Sequence, residues 1–90
     1  MKFAHKGLRR FAERGETRGL NPGHLARIRR LLTALQDAGR PADLAHPAFR
    51  LHPLKGQRLG QWSMRVSDNW RIVFRFRSGE AVDIDLVDYH

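Results

Sequence analysis

Two histidines, a lysine and a pair of arginines carry most of the chemistry this sequence offers. His52 and His90 each close a stretch that reads as β-strand, and histidine is the side chain that exchanges protons near neutral pH. Lys55, Arg65 and Arg71 supply fixed positive charge, while Tyr89 offers a ring to stack on a base or a hydroxyl to pass a proton. These groups suit metal-free cleavage of RNA. That reaction needs a base for the ribose 2′-OH, cations for the pentacoordinate phosphorane and an acid for the departing 5′-oxygen. Plainer alternatives stand beside each assignment: a free tail for His90, a solvated strand end beside Pro53 for His52. Other chemistries lack their residues. There is no cysteine, the five histidines show no ligand spacing, and neither a Walker-type glycine loop nor a nucleophile elbow is present. No metal or cofactor is therefore expected.

The elements that must position these groups lie mainly in residues 61–90. Trp62, Met64 and Val66 alternate with polar neighbours, as do Trp70, Ile72, Phe74 and Phe76, and then Val82, Ile84 and Leu86. Alternation of period two over three segments separated by turn residues predicts an antiparallel meander with one apolar face. Both tryptophans share that apolar parity and are expected in the core. Directly opposed residues share a face, so apolar must meet apolar. A three-residue loop at Ser78-Gly79-Glu80 satisfies this by pairing Phe76 with Val82, Phe74 with Ile84 and Arg75 with Asp83. The same rule at Ser67-Asp68-Asn69 pairs Val66 with Trp70 and Met64 with Ile72. It also sets Arg65 opposite Arg71 on the polar face. Two facing arginines suggest an anion between them; two solvated side chains splaying apart satisfy the spacing equally. Tyr89 falls beside Arg71 in this register, and Asp88 and His90 point the other way.

The remainder supplies a cover. Residues 2–5 read as a short edge strand and Lys6–Arg14 as a short helix with Leu8, Phe11 and Ala12 on one face. Residues 22–38 form a second helix. Asn21 is its N-cap and Pro22 its first residue; Leu25, Ile28, Leu32 and Leu35 make its apolar stripe; Gly39 is its left-handed stop. Its polar side carries Arg27, Arg29 and Arg30, either a solvated face or an RNA contact. Residues 48–53 read as another strand, ended by Pro53. A basic, glycine-bounded loop containing Lys55 and Arg58 then leads into the meander. Ninety residues make one domain, spanning residues 1–90, with one modest core.

The net charge is +8 and the sequence pI about 11.5. Residues 1–60 hold 13 Lys and Arg against 4 Asp and Glu, and residues 61–90 hold 4 against 5, so the excess lies outside the meander. A small, strongly basic domain usually meets a polyanion, most often nucleic acid. No apolar run approaches the roughly 20 residues of a membrane span, and the start lacks a signal peptide's apolar stretch. No membrane partner and a cytoplasmic location are expected.

Several blocks of this chain resemble the HigB toxins of bacterial type II toxin–antitoxin systems, a group of RelE-like proteins also known as plasmid maintenance killer proteins. They are Leu51-His52-Pro53-Leu54-Lys55-Gly56, Gly60-Gln61-Trp62-Ser63-Met64-Arg65-Val66, Asn69-Trp70-Arg71-Ile72 and the final Asp88-Tyr89-His90; the opening His5-Lys6-Gly7-Leu8 and the Asn21-Pro22 helix start look like the same group. The resemblance runs through nearly the whole chain in order. It implies an α+β fold, RelE-like, with two N-terminal helices packed on one face of a small antiparallel β-sheet. It implies a ribosome-dependent mRNA endonuclease that enters the A site and cuts within codons. It further implies a HigA-type antitoxin with a helix-turn-helix domain, operator DNA being met only through the toxin–antitoxin complex. Residue by residue, it implies catalytic roles for His52, Lys55, Arg71, Asp88, Tyr89 and His90. Arg65, Arg58, Arg27 and Arg30 are the expected RNA contacts. Two rival readings remain: a non-catalytic basic RNA- or DNA-binding module, and a protein that acts chiefly by tuning an antitoxin repressor.

Overall fold

The structure, a computed structural model, describes residues 1–88; the sequence expectations for Tyr89 and His90 lie outside the described residues. Helix α1 occupies Lys6–Arg14 as its pattern predicts. The His5 ring caps it, Nδ1 accepting from the Leu8 N–H at 3.0 Å. Gly15, at φ 71°, ends it by donating its N–H to the Phe11 carbonyl at 3.0 Å.

The second helix is shorter than the expected 22–38. Asn21 does cap, its side chain accepting from Gly23 at 2.8 Å, but Pro22–His24 winds as a 3₁₀ turn before α2 begins at Leu25 and runs to Asp37. Its end also differs. Ala38 has already turned extended (φ −86°, ψ 136°), so the left-handed stop expected of Gly39 is not needed. Gly39 is small for another reason: a Cβ there would stand 3.3 Å from the Gly79 carbonyl oxygen, where this linker meets the last hairpin. Asp43 holds the linker by accepting from the Gly39 and Arg40 N–H groups. Those bonds, Gly39 first, keep its carboxyl below the usual carboxylate range.

The sheet has four strands in the order β1 (His52–Pro53), β2 (Trp62–Arg65), β3 (Trp70–Arg77) and β4 (Glu80–Asp88), each antiparallel to the next. Met64 pairs with Ile72 and Arg65 with Arg71, as parity requires. The last hairpin solves the parity problem differently from the expected three-residue loop. Ser78 and Gly79, at φ 52° and 77°, form a two-residue turn, and the pairs are Arg77 with Glu80 and Phe76 with Ala81. Two positive φ values in a two-residue loop match the natural twist of a hairpin. Continued without interruption, that register would set Asp83 on the core face opposite Phe74. A bulge prevents it: the register shifts between Val73 and Arg75, with Asp83 at φ 53°, so that beyond it Val73 meets Asp85 and Ile72 meets Leu86. Ile84 is thereby fully buried. Arg75 and Asp83 are not opposed, yet they still approach to 3.7 Å.

Two other expected strands are reduced. Residues 2–5 contribute a single parallel bridge, Phe3 to Ile84, and residues 48–53 become a 3₁₀ turn at Pro47–Phe49 followed by the two-residue β1. Both helices cover one face of the sheet. Leu8 and Phe11 of α1, with Ile28, Leu31, Leu32 and Leu35 of α2, meet Met64, Ile72, Phe74 and Ile84 in one buried cluster. Trp62 packs against this core, half-buried; Trp70 does not join it and stands 36% exposed, 6.2 Å from the His24 ring. Among the described residues no helix is long and apolar enough to cross a membrane. Phe74 lies at the centre of the buried face with no exposed surface. Phe74→Ala is expected to cost about 3–5 kcal/mol in urea unfolding, from lost burial and the cavity left behind.

Candidate active site

The face of the sheet turned away from the helices, where Ser63, Val73 and Val82 are nonetheless buried, holds the candidate site. The registers place His52, Ser63, Val73 and Asp85 in one row across the four strands, and Arg65, Arg71 and Val87 in the next row on the same face. Chain conformation brings His52 there. The His46 ring caps the Pro47–Phe49 turn by accepting from the Ala48 N–H at 3.0 Å, and Arg50, at φ 50°, redirects the chain into β1. Pairing with Ser63 and Trp62 then fixes His52 and Pro53. One further bond, from the Leu54 N–H to the Gln61 carbonyl at 2.9 Å, follows before the chain leaves the sheet, and Pro53 leaves the outer edge without a donor.

Arg50, His52, Ser63, Arg65 and Arg71 line a cleft of about 360 Å³. The exposed His52 stands at its rim, and Ser63, 3% exposed, belongs to its floor. The facing arginines neither splay nor float. Arg65 pairs with Asp68 at 2.7 Å. Arg71 donates through Nη1 to the carbonyl oxygens of Ser67, Asp68 and Trp70 at 2.7, 3.2 and 3.2 Å. The 67–70 loop thus anchors both guanidinium groups and keeps like charges on one face. Ser67 is steadied in turn by the His24 ring, at 3.1 Å.

The other expected site residues fall elsewhere. Lys55 is exposed beyond β1, at the start of the Gly56–Arg58 turn, and is not part of the cleft lining. Asp88 is the register partner of Trp70, on the opposite parity from Arg71. Arg58 braces its own loop by donating to the Gln61 side chain at 3.0 Å. Arg27 is a strut: it donates from Nε to the Arg65 carbonyl at 3.0 Å and from Nη2 to the Ala48 carbonyl. Burial, with Arg30 and Arg65 nearby, lowers its pKa. Arg30 is exposed beside His46, Ala48 and Phe49, whereas Arg29 lies over the Phe11 ring at 4.8 Å. Arg50 and Ser63 are the cleft residues that sequence reasoning missed. The spacing Arg50-x-His52 and the polar parity of Ser63 were the available signals.

A family model for RelE-like toxins of the type II toxin–antitoxin system HigB matches residues 1–90. The chain belongs to that family. It is 42% identical over 88 residues to the Endoribonuclease HigB of Proteus vulgaris, which covers 98% of this chain and 96% of that protein. Its fold matches a chain of the YoeB–YefM complex from Staphylococcus aureus with a TM-score of 0.64, at 20% identity, covering 99% of this chain and 93% of that one. The α+β arrangement, two helices on one face of an antiparallel sheet, is thus the RelE-like fold. As a HigB-like toxin the protein is one half of a two-component system whose other half is an antitoxin.

Arg27 separates two roles for basic residues of this HigB-like chain. Removing charge-assisted hydrogen bonds to two carbonyls is expected to lower stability by about 1–2 kcal/mol. Urea unfolding of Arg27→Met measures it; an unchanged midpoint would mean that the strut contributes nothing.

Proposed function

We propose that the protein is an endoribonuclease toxin that cuts translated mRNA in the ribosomal A site, with no metal in the step. One observation carries the reading: an exposed histidine and three arginines converge on one open cleft in a chain 42% identical to an endoribonuclease. A base removes the proton of a ribose 2′-OH, and the 2′-oxygen attacks the adjacent phosphorus. The P–O bond to the 5′-oxygen breaks as an acid protonates that oxygen, leaving a 2′,3′-cyclic phosphate and a 5′-hydroxyl. His52 and His90 take the acid and base roles, assisted by Asp88 and Tyr89. Arg71 and Lys55 stabilise the charge of the phosphorane.

The reading extends to location and partners. The +8 charge favours docking on ribosomal RNA in the cytoplasm, and such docking weakens steeply with salt. The antitoxin is of the HigA type, with a helix-turn-helix domain through which the pair reaches operator DNA.

The test is cleavage of a defined mRNA by purified protein, with and without programmed ribosomes, with 5′ ends mapped. Cuts are expected only on translated RNA. His52→Ala and His90→Ala should each slow cleavage by about 10²–10⁴-fold, the range of a lost acid or base. RNA bound without cuts in either setting would replace this reading with a binding module.

A further inference from the structure

Beside the His52 cleft lies a second groove, of about 460 Å³, lined by Arg27, Ala48, Arg50, Arg65, Val66, Ser67 and Asp68. Arg50 and Arg65 line both, so the two depressions adjoin at these two side chains. Among the described residues the second groove offers Ala48 and Val66 as its only apolar lining, too little for a protein anchor, and three guanidinium groups, which suit a charged backbone. Asp68 is its single acidic lining residue among the described residues. It sits on Arg65 at 2.7 Å although its side chain is 94% exposed, with that of Arg65 37% exposed. An exposed ion pair of this kind holds weakly and exchanges readily with a better anion.

We propose that the RNA strand continues from the His52 cleft into this second groove, where Arg50 and Arg65 together grip the phosphate next to the scissile one, and that Asp68 holds that phosphate's place on Arg65 in the RNA-free protein. Arg50 is suited to the grip because its backbone, at φ 50°, turns the chain between the two depressions. An arginine there can fork two N–H donors onto phosphate oxygens. Arg27, already engaged with the Ala48 and Arg65 carbonyls, forms a fixed cationic wall. The inference rests on the endoribonuclease reading for its substrate.

The test uses a fully 2′-O-methylated ten-nucleotide RNA, which binds but offers no 2′-OH to react, measured by fluorescence anisotropy with the whole chain. Asp68→Asn should tighten binding about two- to fivefold, the range of a lost exposed ion pair. The gain should vanish in an Arg65→Met background, where there is no guanidinium to release. Arg50→Gly, which the left-handed backbone accepts without strain, should weaken binding about three- to tenfold and lower the salt slope by about 0.7, one single-strand phosphate contact. Arg50→Lys should restore most of both. An equal gain from Asp68→Asn with and without Arg65 would reduce the effect to general charge and overturn the place-holder. Unchanged RNA affinity in Arg50→Gly, with weakened antitoxin binding instead, would assign the groove to the protein partner and overturn the RNA track. Cleavage by the wild type on programmed ribosomes is scored separately. If it cuts while these variants bind RNA unchanged, the track fails and the endoribonuclease reading stands. If it cuts nothing while binding shifts as stated, the track stands and that reading fails.

Discussion

A single four-stranded sheet has to present an apolar face to two helices and set its arginines on the other, and everything else in this molecule depends on keeping the two apart. Side chains alternate along each strand, so one misplaced residue exchanges the faces of everything beyond it. The two-residue turn at Ser78-Gly79 sets a register that would press Asp83 into the core. The extra residue at the bulge restores order before the strand reaches Ile84 and Leu86. Beyond the bulge Asp85 joins the row of Val73, Ser63 and His52, and Val87 the row of Arg71 and Arg65. The hairpin lends the cleft Arg71 of β3, while the positions of His52, Ser63, Arg65 and Arg71 are set by the pairing of β1 with β2 and of β2 with β3.

Positive charge is divided between structure and solvent in a way that composition conceals. Arg27 ties α2 to β2 and to the turn before β1, Arg29 lies on Phe11, and Arg58 braces its loop. Arg71 holds the 67–70 loop while facing the cleft. Its guanidinium thus has a fixed position before any substrate arrives, which is the condition under which a cation stabilises developing charge without reorganising.

Much of this was legible because local and global preferences agree. The bounds of α1, the apolar stripe of α2, the alternation of β3 and the Arg65–Arg71 opposition follow from period and capping, and the structure contains them all. Parity correctly demanded one additional residue in the last hairpin but could not say where. A three-residue loop and a tight turn followed by a bulge satisfy it alike, and the choice belongs to backbone angles at Ser78, Gly79 and Asp83. The stretch around Arg50 was illegible for a related reason. Residues 48–53 have strand-like alternation, yet Arg50 adopts a left-handed conformation that bulky side chains rarely take, set by its surroundings and not by its type. Trp70 misled because parity assigns a face and not a depth. At the end of β3, beside the loop, that face has run beyond the helices that cover it.

The brevity of β1 has a consequence for association. A sheet edge is an open template for a strand from another molecule. At one side the chain's own beginning takes up the hydrogen bonds of β4, through Lys2 and Ala4 to Ala81 and Ile84. At the other, two residues closed by a proline leave almost no ladder to extend. The rim thus refuses self-templating growth at the very strand that carries His52 to the cleft.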